Sequence, residues 1–438
     1  MSDALSKNSV ALPADFVATQ SADLCRALDE TQRAVSIRLN PYKPFEHSLT
    51  DRVAWAEDGF YLPSRPVFTL DPIFAAGGYY VQEASSMAVG WIIERLELPD
   101  DPVVLDLCAA PGGKSTHLSS IIGRDGVLVA NETIRSRAGV LCQNIQKWGA
   151  GNTIVTSADA AAFARLGALF DLVVVDAPCS GEGMFGKDMA ARGEWSLDNV
   201  AKCAARQRRV VGDVWDSLKE GGYLIYSTCT FNSHENQENV AWIARELGAE
   251  IISLGDMPGG GVSNRVAGYN FYPNLVRGEG FYVAVLRKTS MACCRQLKLP
   301  RAAFPLSDLY TERPLHLIDQ GGQIYGYTSA LYMMVEALRA SRIFMLTSGV
   351  ELGEQIHGRL KPSFGAALYF DLRRDLFPVT VLSREQSLLY LRRSSLDASL
   401  FSDSLSLVSY SSLGLGFAKR IGMRVNNMYP IAWRIATL

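Results

Sequence analysis

Residues 176–181 read Asp-Ala-Pro-Cys-Ser-Gly, and fifty positions on, residues 226–230 read Tyr-Ser-Thr-Cys-Thr. Each cysteine, Cys179 and Cys229, stands just past an apolar run that reads as a buried strand, Leu172 to Val175 and Tyr223 to Ile225. A thiolate is a strong nucleophile and leaving group, suited to covalent catalysis on an electron-poor centre. A carboxyl three residues before one thiol, Asp176, adds a group able to hold a polar edge of a substrate. A lone cysteine is usually a small buried hydrophobe. Two of them offered from neighbouring strand ends suggest chemistry, and their spacing does not say which one attacks.

The elements that position them alternate. Strand-like runs at 103–107, 127–130, 153–156, 172–175, 223–227, 251–254 and 281–287 are separated by helical stretches at 115–122, 134–148, 197–218 and 235–246. That rhythm predicts an α/β fold with a doubly wound, Rossmann-like parallel sheet. Ligands of such a sheet lie beyond the carboxyl ends of the strands. Cys108, Asp159, Asp176, Cys179 and Cys229 all fall there.

The first strand runs into Asp106-Leu-Cys-Ala-Ala-Pro-Gly-Gly-Lys114-Ser. Small residues and paired glycines let a backbone approach a ligand closely and aim helix N-terminal amides at it. Glu132 closes the second strand, where a carboxylate binds ribose hydroxyls. Asp159, after the third, is placed to reach an adenine amine. The loop has neither the GxGxxG of dinucleotide sites nor the spacing of a Walker loop. The run DxCAAPGGK resembles the cofactor loop of the Sun-type RNA cytosine-5 methyltransferases, which bind S-adenosylmethionine. That resemblance implies cofactor contacts from Cys108, Ala109, Ala110, Pro111, Gly112, Gly113, Lys114, Glu132, Asp159 and Asp176.

Cytosine C5 does not take a methyl group from a sulfonium unaided. A thiolate adding to C6 turns C5 into an enamine-like carbon that attacks the methyl, and the C5 proton must leave before the thiol is eliminated. Asp176 is suited to the N3/N4 edge of the ring. DNA-modifying relatives carry the nucleophile on a Pro-Cys motif. In the RNA family it is the later Ser-Thr-Cys cysteine, so the resemblance implies that Cys229 attacks and that Cys179 assists product release. Lys187 stands where it could meet a phosphate or support a thiol, and His234 reads as a surface residue near a helix start. Cys25, Cys142, Cys203, Cys293 and Cys294 read as packing residues, and the histidines form no metal-ligand spacing with the thiols.

Composition bounds the rest. With 438 residues, 48% hydrophobic and 20% charged, the chain has the makings of two to four globular domains. It shows no apolar run of membrane-spanning length and no signal-peptide core. Eight cysteines without CxxC pairs suit a reducing cytoplasm. The formal charge of −2 means that any polyanion binding must use local patches.

The expected divisions are an N-terminal α+β RNA-binding domain (1–99), a catalytic domain (100–290), a linking domain (291–362) and a β-rich module (363–438). Ser36-Ile-Arg38-Leu-Asn40 resembles an Arg-x-Asn element of the same family, and Gly78–Met87 its approach to the catalytic core; their polar and aromatic groups are candidates for RNA contact. The tail from 411 has four cations, no acidic residue, and interleaved Phe417, Tyr429 and Trp433. Such interleaving fits phosphate contact with base stacking. It resembles the PUA-like RNA-binding tail of the bacterial RsmF-type branch. That implies 16S ribosomal RNA in the small subunit as partner, with tRNA as the alternative substrate and a non-catalytic assembly factor as the alternative class. A monomer without metal is expected.

Overall fold

The computed structural model describes residues 10–29, 34–265, 267–291, 310–356, 359–402 and 404–436. Cys293, Cys294 and His357 lie outside these residues, as does most of the expected boundary after 290.

At the centre are β1 (Val103–Asp106), α1 (Gly113–Ile121), β2 (Val127–Asn131), α2 (Arg135–Trp148), β3 (Thr153–Thr156) and β4 (Phe170–Asp176). They are followed by α3 (Leu197–Val214), β5 (Leu218–Thr228), α4 (Gln237–Leu247) and β6 (Phe281–Lys288). The strands lie in the order β3-β2-β1-β4-β5-β6. The first five run parallel, because each connection is long enough to hold a crossover helix. Apolar side chains cover both faces. Val104, Leu128, Val174 and Ile225 point to one core, and Leu105, Val129, Val173 and Leu224 to the other.

The expectation of a parallel sheet holds only for this centre. β6 is antiparallel to β5, the strand Ala249–Ile252 and the hairpin Val262–Arg265/Gly268–Phe271 extend that edge antiparallel, and Met345–Ser348 adds antiparallel to β3. A hairpin leaves no room for a crossover, so its strands reverse. Met345–Ser348 and the helix Ser329–Ala340, whose Leu331, Val335 and Leu338 enter the core beside Ile154, come from the segment expected as a linking domain. That segment is therefore built onto the catalytic sheet.

The N-terminal strands Val35–Leu39, Gly59–Leu62 and Tyr79–Val81 form a small antiparallel sheet. Ile37, Phe60 and Tyr79 share one core with Tyr390, Leu415 and Tyr429 of the C-terminal region, where four strands between Val379 and Asn427 form a sheet of their own. The two ends of the chain are thus packed together against one side of the catalytic domain. On another side, the helices Ala14–Thr19 and Ala22–Asp29 bury Phe16, Leu24 and Leu28 against Phe185, Trp195 and Phe231, close to both cysteine loops.

Arg38 and Asn40 do not face a nucleic acid, contrary to the sequence expectation. Arg38 is 1% exposed. Its guanidinium donates to Gln82 Oε1 at 2.8 Å and Thr116 Oγ1 at 2.7 Å, and stacks 4.5 Å from the Trp148 ring. Burial, the largest influence, pulls its pKa down to about 9. Asn40 donates to the carbonyls of Gly77 and Trp148, each at 2.9 Å. The pair braces the N-terminal sheet against α1 and α2.

Candidate active site

Parallel register places the carboxyl ends of β1, β4 and β5 side by side: Asp106 pairs with Val174, and Asp176 with Ser227. The loops that leave these strands are therefore neighbours whatever their separation in sequence. They enclose a cavity of about 290 Å³ whose lining includes Cys108–Pro111, Gly113, Lys114, Asp176 and Cys229. The N-terminal segment closes it with Tyr80, Gln82 and Glu83, and β6 with Phe281.

At the cofactor-type loop, Gly112 has φ +116° and opens α1 without a side-chain cap. That left-handed conformation is one glycine adopts freely. A Cβ on Gly113 would lie 3.3 Å from Tyr80, so a side chain there would press on that ring unless it shifted. Asp106 stands behind the loop, fully buried; Ser115 Oγ donates to its Oδ2 at 2.7 Å, while its Oδ1 has no partner. Burial outweighs that hydrogen bond and pushes the carboxyl up to about 7. This orphaned oxygen lies behind the loop and does not line the cavity. Nothing in the sequence marked it, since any strand may end in aspartate.

Glu132 and Asp159 do not line the cavity. Glu132 is buried, accepts from Ile134 N at 3.0 Å, and pairs with Arg137 at 3.3 Å; Arg137 also donates to the Ala110 carbonyl at 3.0 Å. Its carboxylate is thereby anchored beside the loop. Asp159 is exposed and accepts from Ala161 N at 3.1 Å.

Asp176 accepts from Lys114 Nζ at 2.8 Å through Oδ2 and from Ser227 Oγ at 2.8 Å through Oδ1. Burial works to lower the Lys114 pKa, but the Asp176 carboxylate outweighs it and the net shift is upward, with a smaller contribution from Cys229. Lys114 also sits 5.1 Å over the Phe281 ring. A carboxylate has about four acceptor sites, so each Asp176 oxygen retains capacity for a substrate donor.

The two sulphurs lie 3.1 Å apart, with one S–H donating to the other. Cys229 faces the cavity and Cys179 lies behind it. The hydrogen bond to Cys229 is the largest of the influences that raise the Cys179 pKa well above its ordinary value, followed by burial and then the charges of Cys229 and Glu235. Cys179 is thus held as the neutral thiol.

Two glutamates that the sequence did not single out fix these loops. Glu235, fully buried, accepts from Ser180 N at 3.0 Å, Gln207 at 2.7 Å and Asn232 at 2.8 Å, and from Ser180 Oγ. Glu182 accepts from Trp195 at 3.1 Å, Asn232 Nδ2 at 2.9 Å and the amide of Phe231 at 2.7 Å. Each carboxylate ties the Cys179 loop to the Cys229 loop. Only their position just after Cys179 and Cys229 could have flagged them. Lys187 pairs with Glu279 at 3.2 Å, and His234 with Glu238 at 2.9 Å, both at the surface. Tyr272 stacks on Phe231, ring centres 5.5 Å apart. Among the described residues no cluster of His, Cys, Asp or Glu is arranged to hold a metal ion.

Three family models match the chain. Residues 93–287 match 16S rRNA methyltransferase RsmB/F, residues 12–84 the N-terminal domain of 16S rRNA methyltransferase RsmF, and residues 377–435 the methyltransferase RsmF PUA domain. The ribosomal RNA small subunit methyltransferase F of Klebsiella pneumoniae (strain 342) is 31% identical over 448 residues, covering 95% of this chain and 91% of its own. Its counterpart in Citrobacter koseri is 30% identical with the same coverage. Among solved structures, a methyltransferase homolog protein from Pyrococcus horikoshii superposes with TM-score 0.52 at 27% identity, over 61% of this chain and 90% of its own. NSun6 from the same organism gives TM-score 0.53 at 22% identity, a likeness of fold, over 61% of this chain and 94% of its own.

Proposed function

This chain belongs to the RsmF group of 16S rRNA methyltransferases, and we propose that it moves a methyl group from S-adenosylmethionine to C5 of a cytosine in 16S ribosomal RNA. The reading is carried by one observation: a cofactor-type loop, a carboxylate and a thiol face a single cavity. S-adenosylmethionine, when bound, supplies an electrophilic methyl group. The residues fit it. Within Cys108–Lys114 the glycines Gly112 and Gly113 leave the backbone open to close approach, the orphaned Asp106 oxygen behind the loop is a candidate for its ammonium, and the anchored Glu132 suits a ribose; Asp159, outside the cavity, is the outer candidate for the adenine edge.

Cys229 is the nucleophile in this scheme. Its sulphur bonds to C6 of an extruded cytosine, electron density shifts to C5, and C5 takes the methyl. Asp176 accepts from the exocyclic amine and holds the ring, with Lys114 and Ser227 fixing its carboxylate. The C5 proton then passes to solvent water, its bonding electrons restore the C5=C6 double bond, and the C6–S bond breaks with Cys229 leaving as a thiolate. Cys179 holds a proton at its sulphur 3.1 Å from Cys229 and assists that departure. Cys229 lines the cavity and Cys179 does not, which supports this division of labour.

In this reading 1–99 and 363–438 engage RNA, 100–290 carry the chemistry, and 291–362 join them. The protein acts as a monomer in the cytoplasm on 16S RNA within the small subunit. Among the described residues no helix is long and apolar enough to cross a membrane. Bisulfite mapping of ribosomal RNA from a deletion strain, with and without added enzyme, tests the reading. One 16S cytosine should become protected only when enzyme is added. Protection confined to tRNA, or none at all, overturns it.

A further inference from the structure

A second cavity, of about 310 Å³, opens where three parts of the chain meet. The segment Pro72–Ala75 contributes Phe74, α2 contributes Gln143 and Lys147, and the C-terminal region contributes Tyr429, Trp433 and Arg434. Lys147 Nζ stands 4.3 Å from the centre of the Phe74 ring and 5.8 Å from that of Trp433. Trp433 is set edge-on against Phe364, centres 4.9 Å apart at 80°, so its orientation is fixed by packing.

The charge here is one-sided. Lys147 is half-buried, and burial pulls its pKa down to about 8; among the described residues no carboxylate lines the cavity or figures among the influences on that ammonium. Behind it, the buried Lys43 donates to the carbonyls of Lys147 at 2.7 Å and Ala76 at 2.9 Å; burial, with the charges of Arg374 and Lys147, holds its pKa well below the ordinary lysine value, so Lys147 and Arg434 are the cations that face the cavity. A half-buried cation without a counter-ion is costly to fold; the Phe74 and Trp433 rings offset part of that cost, but no group lining the cavity neutralises the charge. An anionic ligand would.

We infer that this cavity binds one unpaired nucleotide of the substrate RNA, its phosphate on Lys147 and Arg434 and its base against the rings of Trp433 and Phe74. The inference rests on the rRNA reading above and deepens it. Aromatic faces combined with cations and no acid are what unstacked nucleotides select. An acidic peptide would use the cations and leave the rings idle.

The position also fits. The segment 72–82 contributes to both cavities, through Phe74 here and Tyr80 in the catalytic one, and α2 touches the catalytic loop where Asn144 donates to the Pro111 carbonyl at 2.8 Å. Lys147 is three residues further along α2, about 4.5 Å of helix rise. An RNA strand delivering a base to Cys229 therefore passes this cavity, and gripping a neighbouring nucleotide would set which base is delivered.

The test uses the full chain with Lys147→Met, Arg434→Gln, the double variant and Trp433→Leu. For methylation of 16S RNA in small subunits, the double variant should raise KM at least tenfold, leaving kcat and cofactor affinity within about twofold. The slope of log affinity against log salt for a short single-stranded oligoribonucleotide should fall by about 0.7, the value for one phosphate no longer neutralised. Because the folded-state pKa of Lys147 is lowered, its charge is unfavourable in the fold below about pH 8, so Lys147→Met should melt no lower than wild type at pH 7. A purely structural lysine would melt lower on replacement.

Trp433→Leu should weaken oligonucleotide binding yet leave binding of a poly-glutamate peptide unchanged. Equal loss for both probes overturns the nucleotide assignment. Unchanged KM and salt slope in the double variant, with methylation intact, overturn the site and leave the functional reading standing. If wild-type enzyme leaves 16S RNA unmethylated, the functional reading fails; the oligonucleotide slope then still decides the cavity.

Discussion

The two cysteine loops are alike in composition and differ in what surrounds them. The Cys229 loop opens onto the cavity, with Lys114, Asp176 and Phe281 around it. Cys179 does not line it, and its loop is tied to the Cys229 loop by two buried glutamates, with the thiol donating to or accepting from Cys229 and its pKa raised. One sulphur is placed to meet a substrate, and the other to hold a proton beside it. Environment differentiates two identical side chains, as it does for paired carboxyls in other enzymes.

The buried carboxyls show the same contrast. Glu235 has four donors and serves the fold, whereas Asp106 keeps one oxygen without a partner and is, in the proposed function, free for a ligand's cation.

The contrast can be broken from the Cys179 side. Glu235→Gln removes a negative charge that raises Cys179 and loosens the loop that aims it. Turnover should fall roughly ten- to a hundredfold, the scale of misplacing a catalytic group by about an ångström. Alkylation of Cys179, followed by mass spectrometry against pH, should move to lower pH. An unmoved alkylation profile would mean that the glutamate does not govern this thiol.

A smaller effect sharpens it from the cofactor side. The Asp106 carboxyl sits at about 7 in the folded protein, above its ordinary value near 4. Its contribution to stability is therefore full below about pH 4 and is lost as pH rises through 7. A cation-bearing ligand favours the charged form, so cofactor affinity measured by calorimetry should rise several-fold between pH 6 and 8 with release of a proton. Asp106→Asn should bind weakly with a flat pH response; a flat wild-type response contradicts this role.

What was readable in the sequence was what is contiguous. The run Asp106–Lys114 and the two cysteine motifs carry their residue types in order, directly after apolar strands, and parallel register brings those strand ends together. What depends on distant partners was not readable. Glu182 is satisfied by Phe231, 49 residues away, and Arg38 is buried by Trp148, 110 residues on. Arg38, in an element whose aromatic and amide groups read as candidates for RNA contact, is therefore an internal brace. The edge strand Met345–Ser348 had no helix-strand rhythm around it to assign it to the central sheet. Lys147 lay within an ordinary helical pattern, and its uncompensated charge emerges only when the two ends of the chain close over it.

The most direct test of the division between the cysteines is denaturing electrophoresis of enzyme incubated with cofactor and radiolabelled 16S RNA, comparing Cys179→Ala with Cys229→Ala. The geometry predicts that Cys179→Ala accumulates a covalent protein–RNA band, because the adduct forms and is not released, and that Cys229→Ala gives no band and no methylation. A covalent band in Cys229→Ala, or methylation by that variant, would contradict the account.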